Sequence, residues 1–256
     1  MQTEQITLHS QMEENHWWFV GRRRIATALI HHLLPASQGK TIVDIGCGTG
    51  GNIASLTPDY QCVGLDPSEE AIRLAQQRFP ALSFVHGPIP SALAPIAPHA
   101  HLLLLMDVLE HVQDDSQLLS GIIQWMSPGS LLLITVPADM TLWSPHDVSF
   151  GHFRRYDRDG LERVWAHLPV TPLLISYYNT LLYPIIRWIR TRNRQRHQSY
   201  GDSGTDFRIP PAPVNRLLTA LFASEAPALV RQLKERRAPS IPRGVSLLAV
   251  LQRENG

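Results

Sequence analysis

The first half of the chain alternates short apolar runs with segments of helical periodicity. Each apolar run is rich in aliphatic or β-branched residues and has the length of a buried strand. The predicted strands are residues 41–45, 61–65, 82–85, 101–106 and 131–136, and the predicted helices between them lie at 52–56, at 68–78 and in the stretch that runs to Trp125. Strands that alternate with helices pair into a parallel sheet with helices on both faces. The pattern therefore predicts a doubly wound α/β fold.

The second half of the chain is less regular. A polar loop at 138–156 precedes a predicted helix at 159–168, strands at 171–178 and 245–251, and a helix at 214–236. At the other end, apolar residues recur at helical spacing from 11 to 34. We predict one domain with a mostly parallel, seven-stranded sheet. Its parts are an N-terminal helical lid at 1–38, a cofactor-binding α/β core at 39–170, and final strands with a helical insertion at 171–256.

Composition narrows the class of protein. Hydrophobic residues make up 44% of the chain and charged residues 18%, as in globular enzymes. The chain has 23 Lys and Arg and 22 Asp and Glu, so its net charge is close to zero. Because no overall positive charge attracts nucleic acid, we expect no nucleic-acid partner. Two cysteines, Cys47 and Cys62, are too few for a disulfide framework and indicate a reducing, cytoplasmic setting. We also expect neither a signal peptide nor a membrane span.

A glycine-rich turn follows the first predicted strand, at residues 44–50. Glycine lets the backbone approach a ligand that a side chain would exclude. Asp44 places a carboxylate at the mouth of this turn, which suits a cationic amino-acid group better than phosphates. Asp66 closes the second predicted strand, where an acid accepts hydrogen bonds from ribose hydroxyls. The spacing of Gly46, Gly48 and Gly51 also satisfies G-x-G-x-x-G, so a NAD-dependent oxidoreductase is the alternative.

Three motifs carry a family resemblance. The turn at 44–50, the Gly-Leu-Asp at 64–66 and the Met-Asp-Val-Leu-Glu-His at 106–111 resemble successive motifs of class I S-adenosylmethionine-dependent methyltransferases. The sequence is most similar in character to ubiquinone-biosynthesis O-methyltransferases and their uncharacterised relatives. The resemblance covers about residues 12–156 and is faint afterwards, apart from the final strand. It implies a Rossmann-like methyltransferase whose cofactor is S-adenosylmethionine.

The resemblance also implies which residues hold the cofactor. The glycine turn would hold the methionine end, Asp66 the ribose and Met106 the region beside the adenine, while an arginine of the N-terminal helix would reach the carboxylate. The implied set is Arg22, Arg23, Asp44, Gly46, Cys47, Gly48, Gly50, Asp66, Pro67, Met106 and Asp107. Many relatives have Gly-Asp after the third strand, whereas this chain has His-Gly-Pro at 86–88. Adenine recognition must then use backbone groups or another side chain.

Three residues after the fourth predicted strand are candidates for the chemistry. Asp107, Glu110 and His111 lie at i, i+3 and i+4 and share one face if a helix has begun. His111 would be a general base oriented by one of the acids, because an imidazole titrates near neutral pH. Alternatively, the three residues bind a divalent ion. Oxygen ligands favour magnesium, whereas the imidazole ligand favours zinc. In a third interpretation, Glu110 and His111 only cap the helix and brace the sheet edge.

The loop at 143–156 is dense in polar side chains. It follows the fifth predicted strand, at the edge where parallel sheets bind ligands. His146 and His152 join His111 as predicted catalytic residues, and we expect His152→Ala to cost activity without loss of the cofactor. The predicted substrate-binding residues of the loop are Asp147, Arg154, Arg155 and Tyr156. In the alternative, the residues at 154–156 only pin the following helix.

Two further segments predict contacts. Trp17 and Trp18, in the predicted lid, would bind substrate by excluding water and offering flat surfaces, although a core helix explains them equally well. The segment Leu173–Arg196 combines an apolar stretch with five arginines and no acid. That composition indicates contact with a membrane surface or an anionic ligand, and a location peripheral to the membrane. A solvated helix end is the alternative.

The sequence therefore predicts a methyltransferase that acts on a small molecule. We expect methylation of oxygen by in-line transfer, assisted by a base or a metal ion. Methylation of nitrogen or carbon on the same fold is the first alternative, and the NAD-dependent oxidoreductase is the second.

Overall fold

The computed structural model describes residues 10–196, 208–236 and 242–255. Within these residues, seven strands form one sheet: β1 (Thr41–Ile45), β2 (Gln61–Asp66), β3 (Ser83–His86), β4 (Leu102–Met106), β5 (Leu131–Pro137), β6 (Val170–Tyr178) and β7 (Ser246–Arg253). Their order across the sheet is β3-β2-β1-β4-β5-β7-β6. The pairs from β3 to β5 are parallel, and β7 runs antiparallel to both of its neighbours. The prediction of a mostly parallel, doubly wound sheet is confirmed.

Helices cover both faces of the sheet. The α-helices in the described ranges are α1 (Trp17–Leu33), α2 (Gly51–Ala54), α3 (Glu69–Arg78), α4 (Asp115–Trp125), α5 (Pro145–Ser149), α6 (Arg158–Trp165), α7 (Tyr183–Arg196), α8 (Ala212–Ala223) and α9 (Ala226–Glu235). Short 3₁₀ turns follow two of the strands: Leu109–His111 follows β4, and Met140–Leu142 follows β5. No helix among the described residues combines the length and the hydropathy needed to cross a membrane.

The core has one layer on each face of the sheet, and β4 contributes to both. Leu103 and Leu105 belong to the apolar cluster that α4 and α6 cover. Leu102 and Leu104 belong to the cluster beneath α1, α8 and α9. All four leucines are almost completely buried, and burying each one contributes about 1.5–3 kcal/mol. A strand buried on both faces explains why this run is apolar throughout and does not alternate.

Side-chain caps fix where helices begin. The Ser68 hydroxyl accepts a hydrogen bond from the amide of Ala71 at the start of α3. The carboxylate of Asp157 accepts one from the amide of Gly160, at 2.6 Å, at the start of α6. Each cap satisfies a backbone donor that the first helical turn leaves unpaired. These caps hold the loops that follow β2 and β5 at the same edge of the sheet.

Several elements differ from the sequence predictions by more than small shifts of their bounds. The N-terminal helix is interrupted: residues 10–12 are helical and residues 13–15 form a turn. Helix α1 begins at Trp17, because His16 adopts an extended backbone and caps it. The predicted helix at 214–236 is divided into α8 and α9, and the predicted loop at 138–156 contains α5. The first part of Leu173–Arg196 is not helical, since residues up to Tyr178 pair with β7 in β6. The arginines therefore belong to a separate helix, α7.

Candidate active site

One large cavity opens at the carboxyl edge of the sheet. It has a volume of about 760 Å³ and lies between α1, the glycine turn, the loops after β4 and β5, and helices α7 and α8. Many of the predicted site residues lie in its wall. They are Trp17, Trp18, Arg22, Gly46, Cys47, Gly48, Asp66, Pro67, Met106, Asp107, Glu110, His111, His146, His152 and Arg155.

The glycine turn between β1 and α2 forms one end of the cavity. Gly46 and Gly48 have positive φ angles of 72° and 55°, which glycine adopts without strain. A Cβ on Gly46 would lie 2.6 Å from a methyl carbon of Val108, whereas a Cβ on Gly48 would meet nothing within 4 Å. Gly50 is not in the cavity wall, and its absent side chain makes room for Phe84. The turn thus leaves open space beside Gly48, where a ligand can touch the backbone.

Asp66 is positioned by two backbone donors. Its carboxylate accepts a hydrogen bond of 2.8 Å from the amide of Gly48 and another of 2.8 Å from the amide of Ser68. Burial raises the pKa of this carboxyl, and the two backbone bonds oppose that rise. The side chain lies in the cavity wall next to the glycine turn. It is held where a ribose would meet it.

Asp44 lies beneath the turn and not at its mouth. Its side chain is 1% exposed, and the cavity wall, as the described residues form it, does not include it. Burial raises its pKa to about 7, and the nearby charge of Arg22 lowers it less strongly. One carboxylate oxygen has no hydrogen-bond partner among the described residues. The expectation that Asp44 faces the ligand directly at the rim is corrected: β1 ends one residue later, and the turn rises above it.

Of the two predicted arginines, Arg22 reaches the cavity. Its guanidinium forms an ion pair with Asp107 and lies 4.5 Å from the ring centroid of Trp18. Burial lowers its pKa, which the surrounding acidic groups oppose. Arg23 turns away and donates to the backbone carbonyl of Glu13. Adjacent helical residues point in directions about 100° apart, so only one of them can face the cofactor end of the cavity.

Glu110, His111 and His152 converge on one point of the wall. One potential ligand atom from each lies within 4.8 Å of the others. The rings of His111 and His152 are perpendicular, with centroids 4.7 Å apart. Glu110 is 1% exposed, and burial raises its pKa to about 8. The predicted trio is therefore wrong in one member, because Asp107 has a positive φ and pairs with Arg22 while His152 takes its place in the cluster.

Asp147 stands behind His152. Its carboxylate lies 3.1 Å from Nδ1 of His152 and accepts a hydrogen bond of 2.8 Å from Nε of Arg155. The side chain is fully buried, and its bonds to these two residues hold its pKa well below the usual range against the effect of burial. Asp147 also accepts from the backbone amide of Ser144 at the start of α5. It does not line the cavity, so it orients residues that do.

Arg154 and Tyr156 do not reach this cavity. Arg154 pairs with Asp115 at 2.7 Å, and the Tyr156 hydroxyl donates to the same carboxylate at 2.7 Å. Asp115 lies in the first turn of α4, so both residues tie the loop after β5 to that helix. The prediction that they bind substrate is corrected for this cavity. They hold the loop against α4, which precedes it, and not against the following helix that the alternative named.

Hydrogen bonds and an ion pair hold the N-terminal segment next to the glycine-turn end of the cavity. Glu13 is buried, accepts a 2.7 Å hydrogen bond from Thr49 and forms an ion pair with Arg78. Asn215 of α8 accepts from the amide of Trp17 and donates to the carbonyl of Asn15, at 2.9 and 2.7 Å. The sequence analysis missed these contacts, because they join positions that lie far apart in the chain.

Asn179 is a further wall residue that the sequence analysis missed. It follows β6, is fully buried and has a positive φ of 56°. Neither polar atom of its side-chain amide has a hydrogen-bond partner among the described residues, although it lines the cavity. Buried amides are usually paired, so this one is available to a ligand. Its position after a strand, at the ligand-binding edge of the sheet, is the signal that would have revealed it.

Comparison with known proteins decides the family. The family described as "Methyltransferase domain" matches residues 18–169, which is more than half of the chain. The chain belongs to the S-adenosylmethionine-dependent methyltransferases. A relative of this methyltransferase, named trans-aconitate 2-methyltransferase, from Azoarcus sp. (strain BH72), is 27% identical over 212 residues, 81% of each chain. The family match leaves no support for the NAD-dependent alternative.

Solved structures share the fold of this methyltransferase. One is a complex of the Haloferax volcanii Trm112 methyltransferase activator with a methyltransferase. It has a TM-score of 0.58 and 17% identity over 99% of this chain and 96% of that one. Another is the geranyl diphosphate C-methyltransferase of Streptomyces coelicolor A3(2), bound to Mg²⁺, geranyl diphosphate and S-adenosylhomocysteine. Its TM-score is 0.54, with 15% identity over 89% of this chain and 78% of that one. The likeness to ubiquinone-biosynthesis enzymes stays a prediction.

The site fits S-adenosylmethionine. The space beside Gly48 admits a ligand against bare backbone, and Asp66 presents an acceptor for hydroxyl groups next to it. Arg22 provides a cation near the same end, and Trp18 lies against it. This combination of a cation, a carboxylate and an aromatic surface matches the carboxylate, ribose and sulfonium of the cofactor.

Proposed function

We propose that this methyltransferase methylates an oxygen atom of a small molecule, with His152 as the general base. The observation that carries the proposal is the pairing of His152 with the buried, ionised carboxylate of Asp147. An ionised acid beside Nδ1 keeps the proton on that nitrogen, so Nε2 has a free lone pair. His152 lies in the cavity wall. Nε2 is therefore the nitrogen that can take a proton from the methyl acceptor.

Each residue has a stated task in this mechanism. The bound cofactor supplies a methyl group that its sulfonium has already activated. His152 Nε2 takes the proton of the acceptor hydroxyl while its oxygen bonds to the methyl carbon. The bond from that carbon to the cofactor sulfur would break at the same time, with a neutral thioether as the leaving group. Asp147 stabilises the resulting imidazolium. Arg155 holds Asp147 in place through Nε. Positioned proton removal contributes about 10²–10⁴-fold to such rates.

The cofactor end is assigned to Arg22, Gly46, Gly48 and Asp66, together with Cys47, Pro67 and Met106 in the same wall. Asp44 acts indirectly, from beneath the turn. Trans-aconitate 2-methyltransferase, by its name, methylates a small molecule, which supports the same acceptor class here. The cavity volume of about 760 Å³ also suits a cofactor with a small second molecule.

The test separates cofactor binding from proton removal. S-adenosylhomocysteine affinity is measured by calorimetry, and methyl transfer by mass spectrometry on a panel of hydroxylated acceptors. Trans-aconitate is tested separately, because its carboxylates are already ionised and need no general base. We expect His152→Gln to keep its affinity within about threefold and to lose about 100-fold in turnover. His99→Gln, an exposed histidine outside the cavity wall, is the matched control. A tenfold weaker cofactor affinity in His152→Gln would contradict the assigned role.

A second candidate mechanism uses a divalent metal ion at Glu110, His111 and His152. The convergence of their ligand atoms within 4.8 Å favours it. Two imidazoles and one carboxylate are a donor set that suits zinc better than magnesium. Such an ion would polarise an acceptor oxygen and would occupy the nitrogen that the base mechanism needs. Metal analysis of the purified protein decides between them, since turnover that persists after chelation leaves only the base.

A further inference from the structure

Helix α7 exposes large apolar side chains to solvent. Ile185 and Trp188 are 58% and 61% exposed, and Leu181, just before the helix, is 52% exposed. These positions are three or four residues apart, so they lie on one face. Ile185 also lies in the cavity wall, together with Ile186 and Ile189. The exposed apolar surface of α7 is therefore continuous with the wall of the cavity through Ile185.

Helix α8, on the other side of the cavity, repeats this arrangement. Val214, Leu217 and Leu221 are exposed at helical spacing, and Leu217 is 66% exposed. Leu218 lines the cavity, and Phe222 packs against α1. We call the exposed apolar residues of the two helices, Ile185, Trp188, Val214, Leu217 and Leu221, the mouth rim. Contiguous apolar exposure around an opening marks an interaction surface, whereas scattered single residues do not.

The two helices that carry the mouth rim have only basic charges. The sequences of α7 and α8 contain no acidic residue. The guanidinium of Arg192 in α7 lies 5.3 Å from the ring centroid of Trp188. Arg187 of the same helix lies near the carboxylate of Asp139 instead. Arg216 adds a cation to α8. An exposed apolar face bordered by arginines, with a tryptophan among them, is the pattern of a helix that lies in a membrane interface.

We infer that the mouth rim docks on an anionic lipid bilayer, so that the cavity receives an acceptor with an apolar body from the bilayer. This rests on the proposed function and adds the source and class of its acceptor. A second copy of the chain is a poorer occupant, because a two-fold contact through this face would bring the arginines of two copies together. Anionic headgroups neutralise the arginines, and the acyl boundary takes the apolar side chains.

Vesicle sedimentation tests the docking. The full chain is mixed at low ionic strength with vesicles of equimolar phosphatidylcholine and phosphatidylglycerol, or of phosphatidylcholine alone. We expect sedimentation with the anionic vesicles, release by added salt, and a blue shift of tryptophan emission that Trp188→Phe reduces. The double variant Trp188→Ser/Leu217→Ser changes two residues that lie outside the cavity wall. It should bind at least about tenfold more weakly.

Controls separate charge, folding and self-association. Arg192→Gln should weaken binding, whereas Lys40→Gln, which removes the same charge just before β1 at the opposite edge of the sheet, should not. Sedimentation of the double variant equal to that of the wild type would overturn the inference. So would a wild-type chain that stays in solution with anionic vesicles, or a dimer in light scattering that the double variant dissociates.

Acceptor class is tested with a matched pair of probes, gallic acid and dodecyl gallate. We expect the alkyl ester to bind at least about tenfold more tightly, and Ile189→Gln to remove most of that difference. Equal affinities would overturn the acceptor class. If the wild-type chain does not bind S-adenosylhomocysteine, the proposed function is contradicted but the vesicle result still stands. Failure of the proposed function and failure of this inference are therefore distinguishable.

Discussion

The Nδ1 atom of His152 lies 3.1 Å from the carboxylate of Asp147, which has no exposed surface of its own. The same carboxylate oxygen accepts from Nε of Arg155. Two partners on one buried oxygen fix the position of the imidazole more firmly than either would alone. In the proposed mechanism Asp147 has both a functional and a structural role, and two measurements separate them.

Replacing Asp147 by asparagine should lower turnover by about 100-fold. The amide keeps the volume of the side chain but does not stabilise a protonated imidazole. The affinity for S-adenosylhomocysteine, measured by calorimetry, should stay within about threefold, because Asp147 lies outside the cavity wall. Unchanged turnover in a folded Asp147→Asn protein would show that His152 is not the base.

Replacing Asp147 by alanine should destabilise the fold by about 3–5 kcal/mol at pH 7, because it leaves the buried Arg155 without its counter-charge. The pKa of Asp147 lies below its unfolded value. Its contribution to stability is therefore complete above about pH 4 and is lost as the pH falls through the folded pKa. Urea denaturation at pH 7 and pH 3 measures the destabilisation and its pH dependence. The difference in unfolding free energy between the wild type and Asp147→Ala should be smaller at pH 3. A difference that does not change with pH would exclude the ionic contribution.

Asp44 should have the opposite pH dependence. Its pKa is raised to about 7 by burial, above the value of about 4 for an exposed aspartate. The contribution it makes is complete below about pH 4 and is lost as the pH rises to about 7, because the folded state holds a proton that the unfolded state releases. We expect the ligand-free protein to lose stability over this window, and Asp44→Asn to flatten the profile in urea denaturation. Asp159→Asn, on the exposed first turn of α6, is the control and should leave the profile unchanged.

The sequence predicts the glycine turn well, because its geometry depends on near neighbours, but it does not predict that Asp44 is buried beneath the turn. Positive φ angles at Gly46 and Gly48 follow from the local strand-turn-helix path. The partner of His152 also lies only five residues away, within one loop. Long-range pairings are different. The contact between Glu13 and Arg78 joins positions 65 residues apart, and no periodicity announces it.

The same limit explains the errors in the candidate site. Asp107 and Glu110 are close in sequence and were assigned together, but the positive φ of Asp107 turns it toward Arg22. Arg154 and Arg155 are adjacent, yet one is held by Asp115 and the other by Asp147. Which way each neighbour points is decided by packing against elements elsewhere in the chain. A list of polar residues in one loop cannot supply that information.

Gly48→Ala should weaken cofactor binding more than it destabilises the fold. Its φ of 55° makes any side chain unfavourable, and an added Cβ would enter open space beside the cavity wall. Gly129→Ala is the matched control, since its φ is 80° and its Cβ would also meet nothing within 4 Å, but it lies before β5 and away from the cavity. Both variants should lose about 1–2 kcal/mol of unfolding free energy. Only Gly48→Ala should lose S-adenosylhomocysteine affinity, by at least about tenfold. Equal affinity losses would place the cofactor elsewhere.

Asn179→Leu should make the acceptor bind more weakly without affecting the cofactor. The amide is buried, lines the cavity and has no hydrogen-bond partner among the described residues, so leucine removes an unpaired polar group and fills a similar volume. Two effects on the ligand-free fold oppose each other. Removing an amide that is buried unpaired is favourable, whereas leucine at the positive φ of this position costs about 1–2 kcal/mol, so we expect little net change in the free energy of unfolding. If Asn179 binds the acceptor, KM should rise by about tenfold or more while kcat falls little, because a hydrogen bond made equally in the ground and transition states is lost. Asn52→Leu, another amide in the wall but next to Arg22, is the comparison and should instead weaken S-adenosylhomocysteine binding. If Asn179→Leu instead loses cofactor affinity and keeps the KM for the acceptor, Asn179 binds the cofactor and not the acceptor.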